Sequence, residues 1–155
     1  MAKPSKVELI DIDVAALTGF ARSLAPVVAE GGTIYLAGEL GAGKTTFARA
    51  LLGALGVDGR VKSPTYSLIE SYVANGLAIH HLDLYRIAAA DEVEWLGLRD
   101  LAVGQYLWLI EWPERAAAAL PAPDLVVNLA HAQHGRDLRV EAASTRARQW
   151  LQALG

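Results

Sequence analysis

The sequence predicts an α/β fold in which a mixed parallel and antiparallel sheet is flanked by helices. Three observations point to it. Short apolar runs of strand length alternate with segments of helical periodicity, a glycine-bearing loop joins one such strand to one such helix, and an Asn-Gly pair joins two further strands. At 155 residues the chain is expected to form one domain, 1–155, which would bury roughly 68–70% of its unfolded surface without a disulfide or metal staple. Hydrophobic residues make up 53% and charged residues 20%, which excludes a disordered chain. A net charge of −3 argues against a domain whose main task is gripping bare nucleic acid, because phosphate contacts need a basic face. With no cysteine, a disulfide partner, thiol catalysis, a zinc knuckle and an iron–sulfur cluster are excluded. The start MAKPSKVELIDID has no apolar signal core and no run is long enough to span a bilayer, so the expected location is cytoplasmic, with no membrane partner.

The elements follow in order. Val14, Leu17, Ala21, Leu24 and Val28 recur at helical spacing behind Asp13 as a cap, with Pro26 inside the pattern and Gly31-Gly32 as its stop. Thr33–Ala37 is a buried strand, and from Lys44 a second helix sets Phe47, Leu51 and Leu55 on one face until Gly56. Tyr66–Tyr72 and Leu77–Tyr85 are two strands around the Asn75-Gly76 turn. Asp91 followed by Glu94 has the form of a capping box for a short helix ending near Gly97. Leu107–Glu111 is a buried strand, Asp124–Ala130 and Arg136–Ala142 form a hairpin through Gly135, and Ser144 caps a last helix to Leu154.

Between the first strand and the second helix, Gly38-Glu39-Leu40-Gly41-Ala42-Gly43-Lys44-Thr45 matches G-x-x-x-x-G-K-[ST] at every position. Glycines let the backbone curl so that successive N–H groups point at an anion, and the helix that follows brings its positive end to the same place. Lys44 would reach the β- and γ-phosphates and the Thr45 hydroxyl would bind Mg²⁺, so the loop predicts a nucleoside triphosphate site. Such a site needs a second carboxylate at the end of a buried strand. Glu111 after Leu107–Ile110 and Asp83 after Ala78–Leu82 both qualify. His81, Asp83 and Tyr85 would share one strand face, and His81 is read as a hydrogen-bonding partner for neighbouring polar groups rather than a metal ligand. Pro64 holds Ser63 extended and leaves Thr65 where a switching loop could meet Mg²⁺ or the γ-phosphate. Trp112 adjoins Glu111, and Arg136 leaves a glycine turn within possible reach of phosphate.

In this order and spacing, GELGAGKTTF (38–47), SPTYSL (63–68), HLDLYR (81–86) and EWPE (111–114) resemble the TsaE family, the bacterial ATPases of the tRNA threonylcarbamoyladenosine pathway. The resemblance runs from the first helix to the C-terminal hairpin. It implies a small P-loop ATPase that uses ATP and Mg²⁺ and associates with TsaB-like and TsaD-like proteins, meeting tRNA only through that complex and resetting it between turnovers. It assigns the phosphates to Gly41, Ala42, Gly43, Lys44, Thr45 and Thr46, the metal to Thr45 and Glu111, a catalytic role to Asp83, and a place at the nucleotide to Arg136. Two other readings compete. A P-loop metabolite kinase would need a lid of clustered arginines, whereas Arg60, Arg86, Arg99, Arg115 and Arg136 are scattered and Ala88–Ala90 occupies the natural lid position. A nucleotide-dependent clamp with negligible hydrolysis would carry the same loop and differ only in turnover.

Overall fold

The computed structural model describes residues 5–57, 68–87, 89, 97–102 and 104–154. In chain order these form β1 (Lys6–Ile12), α1 (Val14–Ser23), β2 (Gly32–Gly38), α2 (Lys44–Ala54), β3 (Ile69–Ala74), β4 (Leu77–Asp83), the single turn α3 (Leu98–Leu101), β5 (Tyr106–Glu111), β6 (Leu125–His131), β7 (Arg136–Ala142) and α4 (Thr145–Ala153). Two 3₁₀ turns, Pro113–Arg115 and Ala117–Ala119, link β5 to β6.

The strands form one seven-stranded sheet in the order β1-β7-β6-β2-β5-β4-β3. Its centre, β6-β2-β5-β4, is parallel, and antiparallel pairs close both sides: β7 and then β1 beyond β6, and β3 beyond β4. The mixed sheet is the one the sequence predicts, because helical crossovers must join the parallel strands while tight turns join the antiparallel ones. Asn75 and Gly76 turn the β3–β4 hairpin with φ of 52° and 79°, the paired left-handed conformation of a type I′ turn.

Alternation along the strands divides the core in two. Ile34 and Leu36 of β2, Leu107 and Leu109 of β5, and Val127 and Leu129 of β6 pack against Leu17 and Ala21 of α1, Phe47, Leu51 and Leu52 of α2, and Trp150 and Leu151 of α4. On the opposite face Trp108, Ile110, Leu82 and Leu84 form a smaller cluster, against which Leu98, Leu101 and Leu120 pack. Burying a side chain such as Leu51 or Phe47 contributes about 1.5–3 kcal/mol. Period two therefore decides chemistry as well as packing. In β4 and β5 the residues on the α2 side include His81, Asp83 and Glu111, and the parallel register sets Asp83 directly opposite Glu111.

Several boundaries differ from the sequence reading. The helix behind Asp13 ends at Ser23, two turns before Gly31, because Pro26 cannot donate to a continuing ladder; Leu24 and Val28 are still buried, in turns. β3 begins at Ile69, since Leu68 has φ of 62°, and β4 ends at Asp83, whose carboxylate Oδ1 accepts the Tyr85 N–H (3.1 Å) to turn the chain. Tyr66 and the capping box at Asp91 and Glu94 lie outside the described residues, as do Ser63 and Thr65. The strand β1 was not expected at all. Among the described residues no helix is long and apolar enough to cross a membrane.

Candidate nucleotide site

The loop from Gly38 to Thr45 leaves the carboxyl end of β2, where the strand is flanked by β5 and β6, and enters α2. Two features of the sequence shape it. Gly43 caps α2 with φ of 112°, a left-handed conformation that an L side chain resists, and a β-carbon there would press on Leu17 Cδ2 at 3.1 Å. The cap makes no side-chain hydrogen bond, so the first N–H groups of α2, which no helical carbonyl can reach, open toward the concavity.

Lys44 is 5% exposed. Its Nζ donates to the carbonyl oxygens of Gly38 (2.6 Å) and Glu39 (2.8 Å) and lies 4.2 Å from the centroid of the Trp112 ring. Burial lowers its pKa, partly offset by the carboxylates of Glu111, Glu114 and Asp83. Thr45 donates its hydroxyl to Glu111, with Oγ1 at 3.0 Å from Oε1 and 3.2 Å from Oε2. Glu111 is itself buried and bonded to His81, Nε2 to Oε2 2.6 Å. Asp83 stands beside it at the same edge. Desolvation raises its pKa above the ordinary carboxylate range, with the Glu111 charge acting in the same direction and the Tyr85 N–H, His81 and Lys44 opposing it.

These groups line a cleft of about 210 Å³, with Leu40, Gly41, Gly43, Lys44, Thr45 and Thr46 on one wall and Asp83, Tyr85, Glu111 and Trp112 on the other. Trp112 turns sharply out of β5 with φ 58° and ψ 50°. Pro113 disfavours the right-handed alternative at this residue, and the Trp112 N–H is secured by the Leu36 carbonyl (3.2 Å). The turn aims the indole back over Lys44. Tyr85 packs against it with ring centroids 4.9 Å apart and planes tilted by 45°, and Arg115 lies 5.8 Å from both rings. From the other side, Arg136 Nη2 donates to the carbonyl of Gly41 (3.2 Å).

The structure thus brings together Lys44, Thr45, Asp83, Glu111 and Arg136 around one loop, and it separates the two carboxylates by partner: Glu111 meets the Thr45 hydroxyl and Asp83 does not. Tyr85 as a wall of the cleft, with Arg115 behind its ring, is not legible in the sequence as a site residue; the available signal is the proximity of an aromatic-basic pair, Trp112 and Arg115, to the strand-end carboxylate. Among the described residues no three His, Asp or Glu side chains converge as a metal cage. A hydroxyl paired with one carboxylate instead suits a small hard cation that takes its remaining oxygens from phosphate and water.

Comparison with known proteins follows the same residues. The family described as threonylcarbamoyl adenosine biosynthesis protein TsaE matches residues 12–139, a span that contains every side chain of the cleft and Arg136. The tRNA threonylcarbamoyladenosine biosynthesis protein TsaE of Haemophilus influenzae is 41% identical over 120 residues, 77% of this chain and 76% of that protein. Its namesake in Bacillus subtilis is 39% identical over 97 residues, 63% of this chain and 60% of that protein. The crystal structure of Bacillus subtilis YdiB superposes with a TM-score of 0.78 at 25% identity, covering 96% of this chain and 93% of that one.

Proposed function

The chain belongs to the TsaE family of tRNA threonylcarbamoyladenosine biosynthesis proteins, and from that premise we propose that it is a Mg²⁺-dependent ATPase whose hydrolysis resets a TsaB–TsaD-type complex, with tRNA met only through that complex. One observation carries the reading: Lys44, the Thr45 hydroxyl and the Glu111 carboxylate converge at the open N-terminus of α2.

In this reading the backbone N–H groups from Gly41 to Thr46 cradle the phosphates, and Lys44 exchanges the carbonyls of Gly38 and Glu39 for phosphate oxygens. The exchange is favourable because the ammonium is already desolvated, so it gains a full negative charge without a further loss of water. Thr45 and Glu111 hold Mg²⁺, which when bound neutralises charge developing on the transferred phosphoryl group. Asp83, its carboxylate pushed up by burial, orients the attacking water and accepts its proton. Arg136 steadies the loop through Gly41 and is in reach of the nucleotide.

The test is phosphate release and binding of a fluorescent ATP analogue by wild type and Lys44→Ala. The variant is expected to lose hydrolysis and most nucleotide affinity while keeping a cooperative melt, because Lys44 is bound to its own loop rather than to the core. A folded Lys44→Ala protein with wild-type turnover would sink the reading.

A further inference from the structure

His81 has no part in holding phosphate, yet it is among the most enclosed polar side chains described, with 0% side-chain exposure against 3% for its partner Glu111. We propose that His81 is a positioning residue: it fixes the Glu111 carboxylate so that this group and the Thr45 hydroxyl present one preset pair of oxygens to the nucleotide-bound divalent cation. The proposal rests on the reading of this loop as a Mg²⁺–nucleotide site.

The geometry is specific. A carboxylate only accepts, so the proton in the 2.6 Å contact belongs to His81 Nε2. The other ring nitrogen, Nδ1, is buried and has no hydrogen-bond partner among the described residues, so the imidazole contributes a single useful donor, and it is aimed at Glu111. That donor grips Oε2, while Thr45 Oγ1 sits 3.0 Å from Oε1 and 3.2 Å from Oε2. Held at one oxygen, the carboxylate cannot rotate away from Thr45. An imidazole N–H on Oε2 leaves the carboxylate's other oxygen turned to the Thr45 hydroxyl and the cation. The fold supplies the alignment. His81 lies on β4 in register with Leu109 of β5, two residue pairs behind the Asp83–Glu111 pair and so on the same face.

Side-chain reach separates positioning from packing. In His81→Gln the amide nitrogen can occupy the place of Nε2, whereas in His81→Asn it stops near the place of Nδ1 and cannot reach Glu111. His81→Leu removes the donor altogether. Each full-length variant is checked by its thermal melt. Mn²⁺ binding is then titrated by electron paramagnetic resonance in the presence of a non-hydrolysable ATP analogue, and affinity for the analogue is measured separately in EDTA. Outer partners of metal ligands typically contribute about 10–100-fold in metal affinity. Asn and Leu are expected to weaken Mn²⁺ binding by about that factor, Gln to recover most of it, and the affinity in EDTA to stay at the wild-type value in all three. If Leu does not fold, the Gln–Asn comparison decides alone. Wild-type Mn²⁺ affinity in Asn, or equal losses in Gln and Asn, would overturn the positioning role and leave the site reading standing. A wild-type protein that binds no Mn²⁺ with the analogue would overturn the site reading itself, and this role with it.

Discussion

At the scale of single residues, the two strand-end carboxylates look alike in sequence and differ in surroundings. Glu111 is bonded to a hydroxyl and an imidazole, and Asp83 to one backbone N–H. Because burial dominates at Asp83, its folded pKa lies above its unfolded one. The sign follows. Between the two values the unfolded chain has released a proton that the folded chain keeps, so stability falls as pH rises through that window and stays lower above it. Asp83→Asn removes the penalty and keeps an oxygen for the Tyr85 N–H. The variant should therefore melt higher than wild type at neutral pH, the gap should close below the carboxylate range, and phosphate release should be lost while Mn²⁺–nucleotide binding persists. Melting curves from pH 3 to 8 beside a phosphate-release assay check this (the range spans the ordinary carboxylate pKa). A variant less stable than wild type at neutral pH would show that the Lys44 charge, not burial, governs Asp83.

At the scale of elements, Asp124, just before β6, fastens β2 to α4. Its Oδ2 accepts the Thr33 N–H of β2 (2.9 Å) and Arg146 of α4 (2.8 Å), and its Oδ1 accepts the Ser144 hydroxyl (2.8 Å) that caps α4 through the Ala147 N–H. Asp124→Ala leaves the buried Thr33 donor unsatisfied and is expected to destabilise the protein by about 1–3 kcal/mol in urea unfolding, without change in nucleotide affinity, because the lock sits at the opposite end of β2 from the loop. The sequence reading had this residue only as the start of a strand, since a tie between residues so far apart leaves no local pattern. The elements it read well are those that carry their own punctuation: Asp13 caps α1 through the Ala16 N–H, Ser144 caps α4, Asn75-Gly76 turns a hairpin, and the glycine loop opens α2. β1 escaped because its pattern is flawed. Val7, Leu9 and Ile12 turn inward, but the register shifts between Leu9 and Ile12, Asp11 takes φ of 50°, and Ile10 is left 67% exposed. A bulge breaks the alternation by which a strand is recognised.

At the scale of the whole molecule, the site was legible because each of its parts ends an apolar strand or lies in a fixed-spacing loop, while the direct contact of Lys44 with Trp112 depended on a left-handed turn that spacing does not reveal. The described cleft holds a phosphate loop and two carboxylates, with Arg136 engaged on a loop carbonyl. P-loop hydrolases whose site is completed by a partner's arginine gain about 10³–10⁵-fold from it. Phosphate release should accordingly be slow for the chain alone and rise with TsaB and TsaD proteins together; equal rates alone, with either partner and with both would leave a free-standing ATPase. The sheet order also sets a timetable. Among the described residues β1 pairs only with β7, far along the chain. At ~5–20 residues per second of synthesis, β1 would wait on the order of ten seconds for its one neighbour, with Lys6 and Glu8 keeping its edge from pairing elsewhere. The same late strand carries Arg136, and Gly135 before it lies so close to the Ile12 carbonyl that no side chain fits between them. Ribosome-bound chains arrested before β7 would thus hold the Gly38–Thr45 loop without its arginine strut, and the nucleotide grip proposed above would first be complete when β1 and β7 meet.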